Sequence, residues 1–221
     1  MNNRIIEHIT LRSRESILEK SKMAYINPSL PHDPTSDPVV YIQTGEDKVS
    51  DMISRMKENK FMVETCEEGL LEETINKIAS SYGFKSMIYP KNLGIDADKI
   101  LADKKTCYNK DIESIRHDVF HSDFSVVRAM AGVASHGVAL VVSSSEQPRM
   151  ISLSPALCIM LLKKDDVVGS LADGLRLVKE RFHDGLPTNI LFIAGPSRTS
   201  DIELETVFGV HGPQKVHIIV Y

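Results

Sequence analysis

Short apolar runs alternate with helical periodicities along most of the chain. A helix is predicted over residues 46–60, because Val49, Met52, Ile53 and Met56 recur at i, i+3, i+4 and i+7 and form one apolar stripe. Runs of strand length flank the helical stretches, as expected for a parallel or mixed sheet covered by helices. The pattern therefore predicts an α/β domain.

A second helix is predicted to begin at Thr65, which opens the sequence Thr-Cys-Glu-Glu with the spacing of a capping box. Gly83 suits the left-handed turn that commonly ends a helix. Between these two positions the apolar residues recur on one face, as in an amphipathic helix. That face comprises Leu71, Ile75, Ile78 and Ala79.

Strands are predicted at the short apolar runs that lack helical periodicity. The runs in the second half of the chain are continuously apolar, which is typical of strands covered on both faces. A helix is predicted among them over residues 170–183, and a short one near 96–102. The predicted strands are 39–42, 61–64, 86–89, 106–108, 126–130, 138–142, 156–162, 189–194 and 216–220.

The first 38 residues differ from the rest. Residues 12–23 predict a helix whose strong apolar anchors are Ile17 and Leu18, and we expect it to pack on the main domain or on a second subunit. Residues 28–38 hold four of the ten prolines, which restrict the backbone and remove hydrogen-bond donors. We therefore predict an N-terminal helix and proline-rich arm over residues 1–38 and a domain over residues 39–221.

Composition is that of a soluble globular protein, with 42% hydrophobic and 25% charged residues. The net charge is −4 and no block of like charge reaches five residues, so we do not expect a nucleic-acid binder of the basic-patch type. The longest apolar run, Ala156 to Leu162, is too short for a transmembrane segment. No apolar signal region follows Met1, so a cytoplasmic location is expected.

The sequence gives little support for a metal site. Cys66, Cys107 and Cys158 are widely spaced, so no iron-sulfur cluster and no zinc site built from local cysteines is predicted. Each cysteine is interpreted as a small buried hydrophobe in a reduced compartment. His117 and His121 would share one face of a helix and suit a divalent metal, but the HExxH pattern is absent and no metal site is predicted.

The densest cluster of candidate chemistry lies in residues 189–213, NILFIAGPSRTSDIELETVFGVHGP. An apolar strand runs into a small-residue loop, and Ser200 is predicted to open a short helix that ends at Gly209. Amides at a helix N-terminus attract anions, and the loop adds donors for a carboxylate or phosphate. The same residue types also cap helices and form turns without binding anything. The candidate anion-binding residues are Gly195, Ser197, Arg198, Thr199, Glu203 and Gly212.

A second glycine-rich stretch, residues 131–138, separates two apolar strands. Gly132, His136 and Gly137 permit either a plain turn or a close approach of the backbone to a ligand. The stretch lacks the GxGxxG spacing, so it gives no support for a nicotinamide dinucleotide site.

His211 is likewise open to two interpretations, a turn residue or a general acid or base.

The blocks Gly195-Pro-Ser-Arg-Thr-Ser-Asp-Ile-Glu203 and Gly209-Val-His-Gly-Pro213, followed by an apolar strand, resemble the signature of the lactate utilisation protein C family, which carries the lactate-utilisation (LUD) domain. Looser similarity in the preceding segments extends the resemblance over residues 40–221. The chain departs from the family pattern at His136-Gly137-Val138, where Thr-Gly-Thr is usual, and at Cys158, where a histidine is common.

The resemblance implies an α/β fold with a mostly parallel sheet covered by helices, as in ribose-5-phosphate isomerase, coenzyme A transferases and formyltetrahydrofolate cyclo-ligase. It also implies a non-iron-sulfur subunit of a system that oxidises L-lactate to pyruvate, with two iron-sulfur proteins as partners and a small carboxylate as substrate. The bound cofactor is unknown, and self-association is left open by the proline-rich arm.

In this hypothesis Ser197, Arg198 and Thr199 hold a carboxylate or a cofactor phosphate. Asp201 and Glu203 orient the loop or Arg198, and Asp201 is a candidate catalytic residue together with His211, the candidate proton acceptor. The alternative is a stand-alone binding module or small-molecule enzyme, which uses the same pocket for a phosphorylated or folate-like ligand.

Overall fold

The computed structural model describes residues 13–23, 41–109, 111–200 and 206–221. The chain divides into two compact units, Met1–Val39 and Val40–Tyr221. In the first unit, residues 13–23 form a helix, α1. All other elements described below belong to the second unit.

The second unit contains both long helices and short strands. Its helices are α2 (Lys48–Glu58), α3 (Leu71–Ser81), α4 (Ile112–His121), α5 (Met150–Leu153) and α6 (Leu171–Arg181). Short 3-10 turns are found at Glu68–Leu70, Ala97–Lys99 and Lys164–Asp166. The strands are β1 (Met62–Thr65), β2 (Ser86–Pro90), β3 (Lys104–Tyr108), β4 (Phe124–Arg128), β5 (Ala131–Val133), β6 (Val138–Val142), β7 (Leu157–Leu162), β8 (Val167–Val168), β9 (Ile190–Ile193), β10 (Arg198–Ser200), β11 (Thr206–Phe208) and β12 (Lys215–Val220).

A six-stranded sheet forms the centre of this unit, with the strand order β1-β12-β7-β4-β2-β3. Every neighbouring pair in it is parallel. A second sheet has the order β8-β5-β6-β9, in which β6 is antiparallel to both of its neighbours. The predicted α/β fold with a mostly parallel sheet is confirmed, whereas the second sheet was not predicted.

Strand β7 shows why the continuous apolar runs become central strands. All six of its residues are buried, and they alternate between two hydrophobic clusters. Cys158, Met160 and Leu162 face α2 and the second sheet, while the other three face α3. A strand covered on both faces needs apolar residues at every position, as its sequence predicts.

Helices α2 and α3 cover opposite faces of the central sheet through the stripes predicted for them. Met52 and Met56 of α2 are fully buried in the first cluster. The four predicted residues of α3 are all buried in the second, and Gly83 has the left-handed φ of +69° expected just beyond its end. Helix α6 covers the outer face of the second sheet through Val178.

Two local predictions in the first half are wrong. Tyr41 and Ile42 are not in a strand, and the rest of that predicted strand lies outside the described residues. Thr65 does not cap α3. It is the last residue of β1 and pairs with Val220 of β12, so long-range strand pairing takes the place of the local cap. Helix α3 instead begins after the 3-10 turn, without a side-chain cap.

The order of the strands creates a switch point between β2 and β4. From β2 the chain continues to β3 at one edge of the sheet, whereas from β4 it continues to β7 on the opposite side. In open α/β sheets, a crevice forms outside the carboxyl ends of two such strands and commonly holds the ligand. None of the helices in the described residues combines the length and apolar character needed to cross a bilayer.

Candidate functional site

The C-terminal block folds as a β-hairpin rather than as a loop followed by a helix. Arg198 pairs with Phe208 and Thr199 with Val207 in antiparallel register. The helix predicted to open at Ser200 is therefore wrong for the described residues. Its capping-box pattern is a local signal, and β-branched and aromatic residues on the second strand favour pairing instead. Asp201 and Glu203 lie outside the described residues.

The hairpin lies at the amino edge of the central sheet. Gln214, directly before β12, donates from its backbone N–H to the carbonyl oxygen of Ala156, directly before β7. The preceding strand, β9, belongs to the second sheet and not to the parallel one. The small-residue loop therefore does not follow a strand of the parallel sheet. The predicted helix N-terminus at Ser200 is wrong, because Arg198–Ser200 form a strand.

Backbone contacts hold the base of the hairpin together. The N–H of Ser197 donates to the carbonyl oxygen of Pro213 at 2.9 Å, and its own carbonyl accepts from the N–H of Gly209 at 3.0 Å. A Cβ at Gly212 would lie 3.1 Å from the Cβ of Ser197. Ser197 and Gly212, both predicted site residues, thus lie close together, and the contact between them is packing within the turn.

Two of the predicted site side chains in this block, Arg198 and His211, are exposed to solvent. Arg198 is exposed, and its Nη2 donates to the carbonyl oxygen of Ala194 at 2.9 Å. His211 is exposed and makes no side-chain hydrogen bond to any described residue. Their roles in anion binding and proton transfer stay predictions.

Asn59, at the end of α2, joins the two glycine-rich stretches that the sequence singles out. Its Nδ2 donates to the carbonyl oxygens of His136 at 2.8 Å and Gly137 at 3.0 Å. A Cβ at Gly195 would clash with the Asn59 carbonyl oxygen, and Gly195 has a φ of +96°. A Cβ at Gly137 would clash with the backbone of Arg55 on the same helix. These glycines are required by close packing against α2.

Replacing Asn59 by alanine is expected to lower the free energy of unfolding by about 1 to 3 kcal/mol, because two carbonyl oxygens would lose their donor. Urea denaturation measures the change. Asn109→Ala is the matched control, since that residue is exposed and its side chain makes no hydrogen bond to the described residues. Equal stability of the two variants would show that Asn59 does not hold the loops.

The rest of the second stretch has structural explanations as well. A Cβ at Gly132 in β5 would clash with Met52, so this glycine makes room for the buried face of α2. His136 is exposed, and its Nδ1 lies 2.7 Å from the hydroxyl of Ser135.

Cys158 is fully buried in β7, where burial raises the pKa of its thiol to about 12. The Cys158 thiol is therefore part of the core, as the sequence predicts, whereas Cys66 and Cys107 are only partly buried and the prediction of burial is wrong for them.

The histidine pair of α4 lies on an exposed helix face. The rings of His117 and His121 have centroids 4.5 Å apart. Asp118 beside them accepts from Lys104 and Thr106, and the Lys104 ammonium lowers the pKa of its carboxyl. No group of three or more His, Cys, Asp or Glu residues suited to a metal ion occurs within the ranges that the structure describes.

A cleft opens at the carboxyl ends of β2 and β4, at the switch point. We call it the carboxyl-edge cleft. Its volume is about 230 Å³. Pro90 at the end of β2 and Arg128 at the end of β4 line it, as do residues at the carboxyl ends of β6 and α6. Its other lining residues include Asn92, Met130, Val142, Glu146, Gln147 and Phe182.

Arg128 is fixed in this cleft by three contacts. Its backbone N–H donates to Oε1 of Gln147 at 2.9 Å, and its carbonyl accepts from Nε2 of the same side chain at 3.0 Å. Its guanidinium donates to the carbonyl oxygen of Leu93 at 3.2 Å. A Cβ at Gly94 would lie only 2.6 Å from Nη2 of Arg128. Glycine at this position therefore leaves room for the Arg128 guanidinium.

The charges around the cleft are mixed. Glu146 accepts from Nδ2 of Asn92, and the Ser144 hydroxyl accepts from the N–H groups of Glu146 and Gln147. Arg181 is paired with Asp166 at 3.1 Å. In the described part of the chain, Arg128 has no carboxylate within salt-bridge distance. Its guanidinium is therefore available to a ligand.

A buried histidine lies away from both regions, on β12. His217 is 5% exposed, and its Nε2 lies 3.0 Å from the hydroxyl of Tyr82. Its Nδ1 has no hydrogen-bond partner among the described residues and lies 3.9 Å from Oε1 of Glu64. Burial, and secondly the charge of Lys215, lower the pKa of His217 to about 4. Burial and the Glu64 carboxylate raise the pKa of Tyr82.

Sequence patterns missed Asn59, Arg128 and Gln147. Arg128 follows a buried apolar strand, and a polar residue at the end of such a strand is a usable signal. Nothing local indicates that Gln147, 19 positions later, holds its backbone. The signal for the cleft is the strand order, which becomes visible only in the fold.

Comparison with known proteins identifies relatives over most of the second unit. The LUD domain family model matches residues 39–221. An uncharacterized protein of Neisseria meningitidis serogroup B is 29% identical over 156 residues, which are 66% of this chain and 65% of that protein. The Lactate utilization protein C of Shouchella clausii is 27% identical over 180 residues, 77% of this chain and 79% of the relative.

Other relatives match over a shorter stretch. The Lactate utilization protein C of Geobacillus kaustophilus is 37% identical over 90 residues, 40% of this chain and 38% of the relative. A crystal structure of a DUF162 family protein from Deinococcus radiodurans superimposes with a TM-score of 0.58 and 19% identity, covering 78% of this chain and 95% of that one. At this identity the superposition shows the fold alone.

Proposed function

Because the chain belongs to the LUD domain family, we propose that it is a non-iron-sulfur subunit of a system that oxidises L-lactate to pyruvate. The observation that carries this proposal is the family match over residues 39–221, together with relatives named Lactate utilization protein C. The resemblance inferred from the C-terminal block is thereby confirmed. The relatives' names give lactate utilisation, whereas the reaction, the subunit role and the iron-sulfur partners are what the resemblance to the family implies.

The positions of the cysteines support a division of labour among subunits. Cys158 is in β7, Cys107 in β3 and Cys66 directly follows β1, and no two of these strands are neighbours in the sheet. In the proposal, two partner proteins carry the iron-sulfur clusters that accept electrons. This chain binds the small carboxylate.

Oxidation of L-lactate to pyruvate releases two protons, one from the hydroxyl and one from the α-carbon, and two electrons, which pass to the clusters of the partner proteins. A proton acceptor and a carboxylate anchor are therefore required. Arg198 and His211 are the anchor and acceptor predicted from the sequence, and both are exposed at the amino edge of the sheet. Arg128 is a second candidate anchor, at the carboxyl edge, where ligands of open α/β sheets commonly bind.

Deletion of the gene is expected to abolish growth on L-lactate as sole carbon source while growth on glucose is unchanged, because only the former requires lactate oxidation. A plasmid copy of the gene restores growth. Anaerobic purification of the tagged full chain from the native cell should recover two iron-sulfur proteins, and the eluate should reduce a dye when L-lactate is added.

Normal growth of the deletion strain on L-lactate, with a solitary protein in the eluate, would contradict this role. Stabilisation by sugar phosphates or folates in a thermal-shift assay, and not by lactate or pyruvate, would instead support the stand-alone module.

A further inference from the structure

We propose that the carboxyl-edge cleft binds a short monocarboxylate, with the guanidinium of Arg128 as its anchor. The site is argued from geometry and charge alone. Only the choice of L-lactate and pyruvate as its natural ligands rests on the proposed function.

Arg128 is held in place before any ligand arrives. Gln147 bonds both backbone groups of Arg128, and the carbonyl oxygen of Leu93 accepts from its guanidinium. One N–H of the guanidinium is used in this way, so most of its five donors stay free for a planar, two-oxygen acceptor. A fixed side chain loses little conformational entropy on binding, which favours affinity for a small ligand.

The charge of the cleft favours a monoanion over a phosphate dianion. Glu146 contributes a negative charge, and Arg181 is neutralised by Asp166. The carboxyl end of α6 also faces the cleft with its partial negative charge. Arg128 is therefore opposed by nearby negative groups, and no helix N-terminus among the described residues lines the cleft. A phosphate site normally supplies more positive charge or a row of backbone amides.

Size and polarity point to a short ligand with an apolar end. The volume of about 230 Å³ is below the range of roughly 300 to 1,000 Å³ for drug-sized ligands. Met130, Val142 and Phe182 form an apolar wall, while Asn92 and Ser144 offer polar atoms. When the carboxylate of lactate or pyruvate pairs with Arg128, the methyl group of the ligand can contact the apolar wall. Its hydroxyl or keto oxygen can then form hydrogen bonds with the polar groups.

The test is a titration of the full-length, ¹⁵N-labelled chain with L-lactate, pyruvate, acetate and inorganic phosphate, followed by amide chemical shifts. Saturable amide shifts are expected on addition of the carboxylates at residues 91–94, 128–130 and 142–147. Arg128→Ala should weaken binding about tenfold or more, and Arg128→Lys less, because lysine keeps the charge but loses the fork. Glu146→Gln should tighten binding about threefold by removing a like charge.

Arg116→Ala is the matched control, since it removes an exposed guanidinium of α4 outside the cleft and should leave binding unchanged. Circular dichroism establishes that each variant is folded, and Arg128 is itself exposed, so its replacement should be tolerated. Shifts confined to residues 195–213 and lost in Arg198→Ala would overturn the assignment. Tighter binding of phosphate than of any carboxylate, or no saturable shift with the carboxylates, would overturn it too.

The two proposals fail in different ways. Absence of carboxylate binding in the cleft, together with a deletion strain that cannot grow on L-lactate, would refute the site and leave the function standing. Binding in the cleft, together with normal growth of the deletion strain on L-lactate, would support the site and refute the function.

Discussion

Gly195→Ala is expected to lower the free energy of unfolding by roughly 3 kcal/mol or more. Two costs combine in this variant. The φ of +96° is unfavourable for any residue with a Cβ, and that Cβ would clash with the carbonyl oxygen of Asn59, which cannot move without distorting the end of α2. Because small domains are stable by only about 5 to 15 kcal/mol, a large loss of folded protein is expected.

Two other glycines separate these costs. Gly69 has an ordinary φ, and no atom lies within 4 Å of the place that a Cβ would take there, so Gly69→Ala should change stability little. Gly83 has a φ of +69° and equally open surroundings, so Gly83→Ala should cost about 1 kcal/mol from the backbone alone. Urea denaturation ranks the three variants. A Gly195→Ala protein as stable as Gly83→Ala would show that contact with α2 is not what fixes this loop.

This prediction changes how the glycine-rich blocks are understood. In the sequence, a loop of small residues after a strand predicts a ligand site, because glycine permits close approach of a ligand. In the fold, the close approach at Gly195 and Gly137 is made by the end of α2. Local sequence cannot distinguish a ligand site from close packing against a helix, since both require a residue without a Cβ.

The central strands could be predicted because their signal is contained in each strand. Burial on two faces requires an apolar residue at every position, and β7 has one at all six. The same runs do not say which sheet a strand joins. Strands β6 and β9 are also continuously apolar, yet they form the second sheet with antiparallel pairing.

The hairpin and the cleft could not be predicted because both depend on distant partners. Ser200 carries a helix-capping pattern, but the strand beginning at Thr206 offers it pairing instead. The cleft exists because β2 and β4 are neighbours, although β3 and α4 separate them along the chain. Arg128 becomes a candidate anchor only when that order is known.

Acidification should destabilise the protein through His217. The pKa of this histidine is about 4 in the folded chain, where burial disfavours the imidazolium, and about 6.5 in an unfolded chain. Between these values the unfolded state binds the extra proton. Stability is therefore complete above about pH 6.5 and falls as the pH drops towards 4, by about 3 kcal/mol in all.

Replacing His217 by phenylalanine should remove this loss, because no proton is then taken up on unfolding at that position. The free energy of unfolding is measured by urea denaturation at several pH values between 7 and 4 for the wild type and the variant. The carboxyl pKa values of Asp118, Asp123 and Asp173 are lowered in the fold, so those groups destabilise it only at still lower pH and equally in both proteins. His183→Phe is the control, because that side chain is 76% exposed and its replacement leaves the buried His217 in place. Parallel profiles for the wild type and His217→Phe would mean that the Glu64 carboxylate, 3.9 Å from Nδ1, compensates the buried imidazolium.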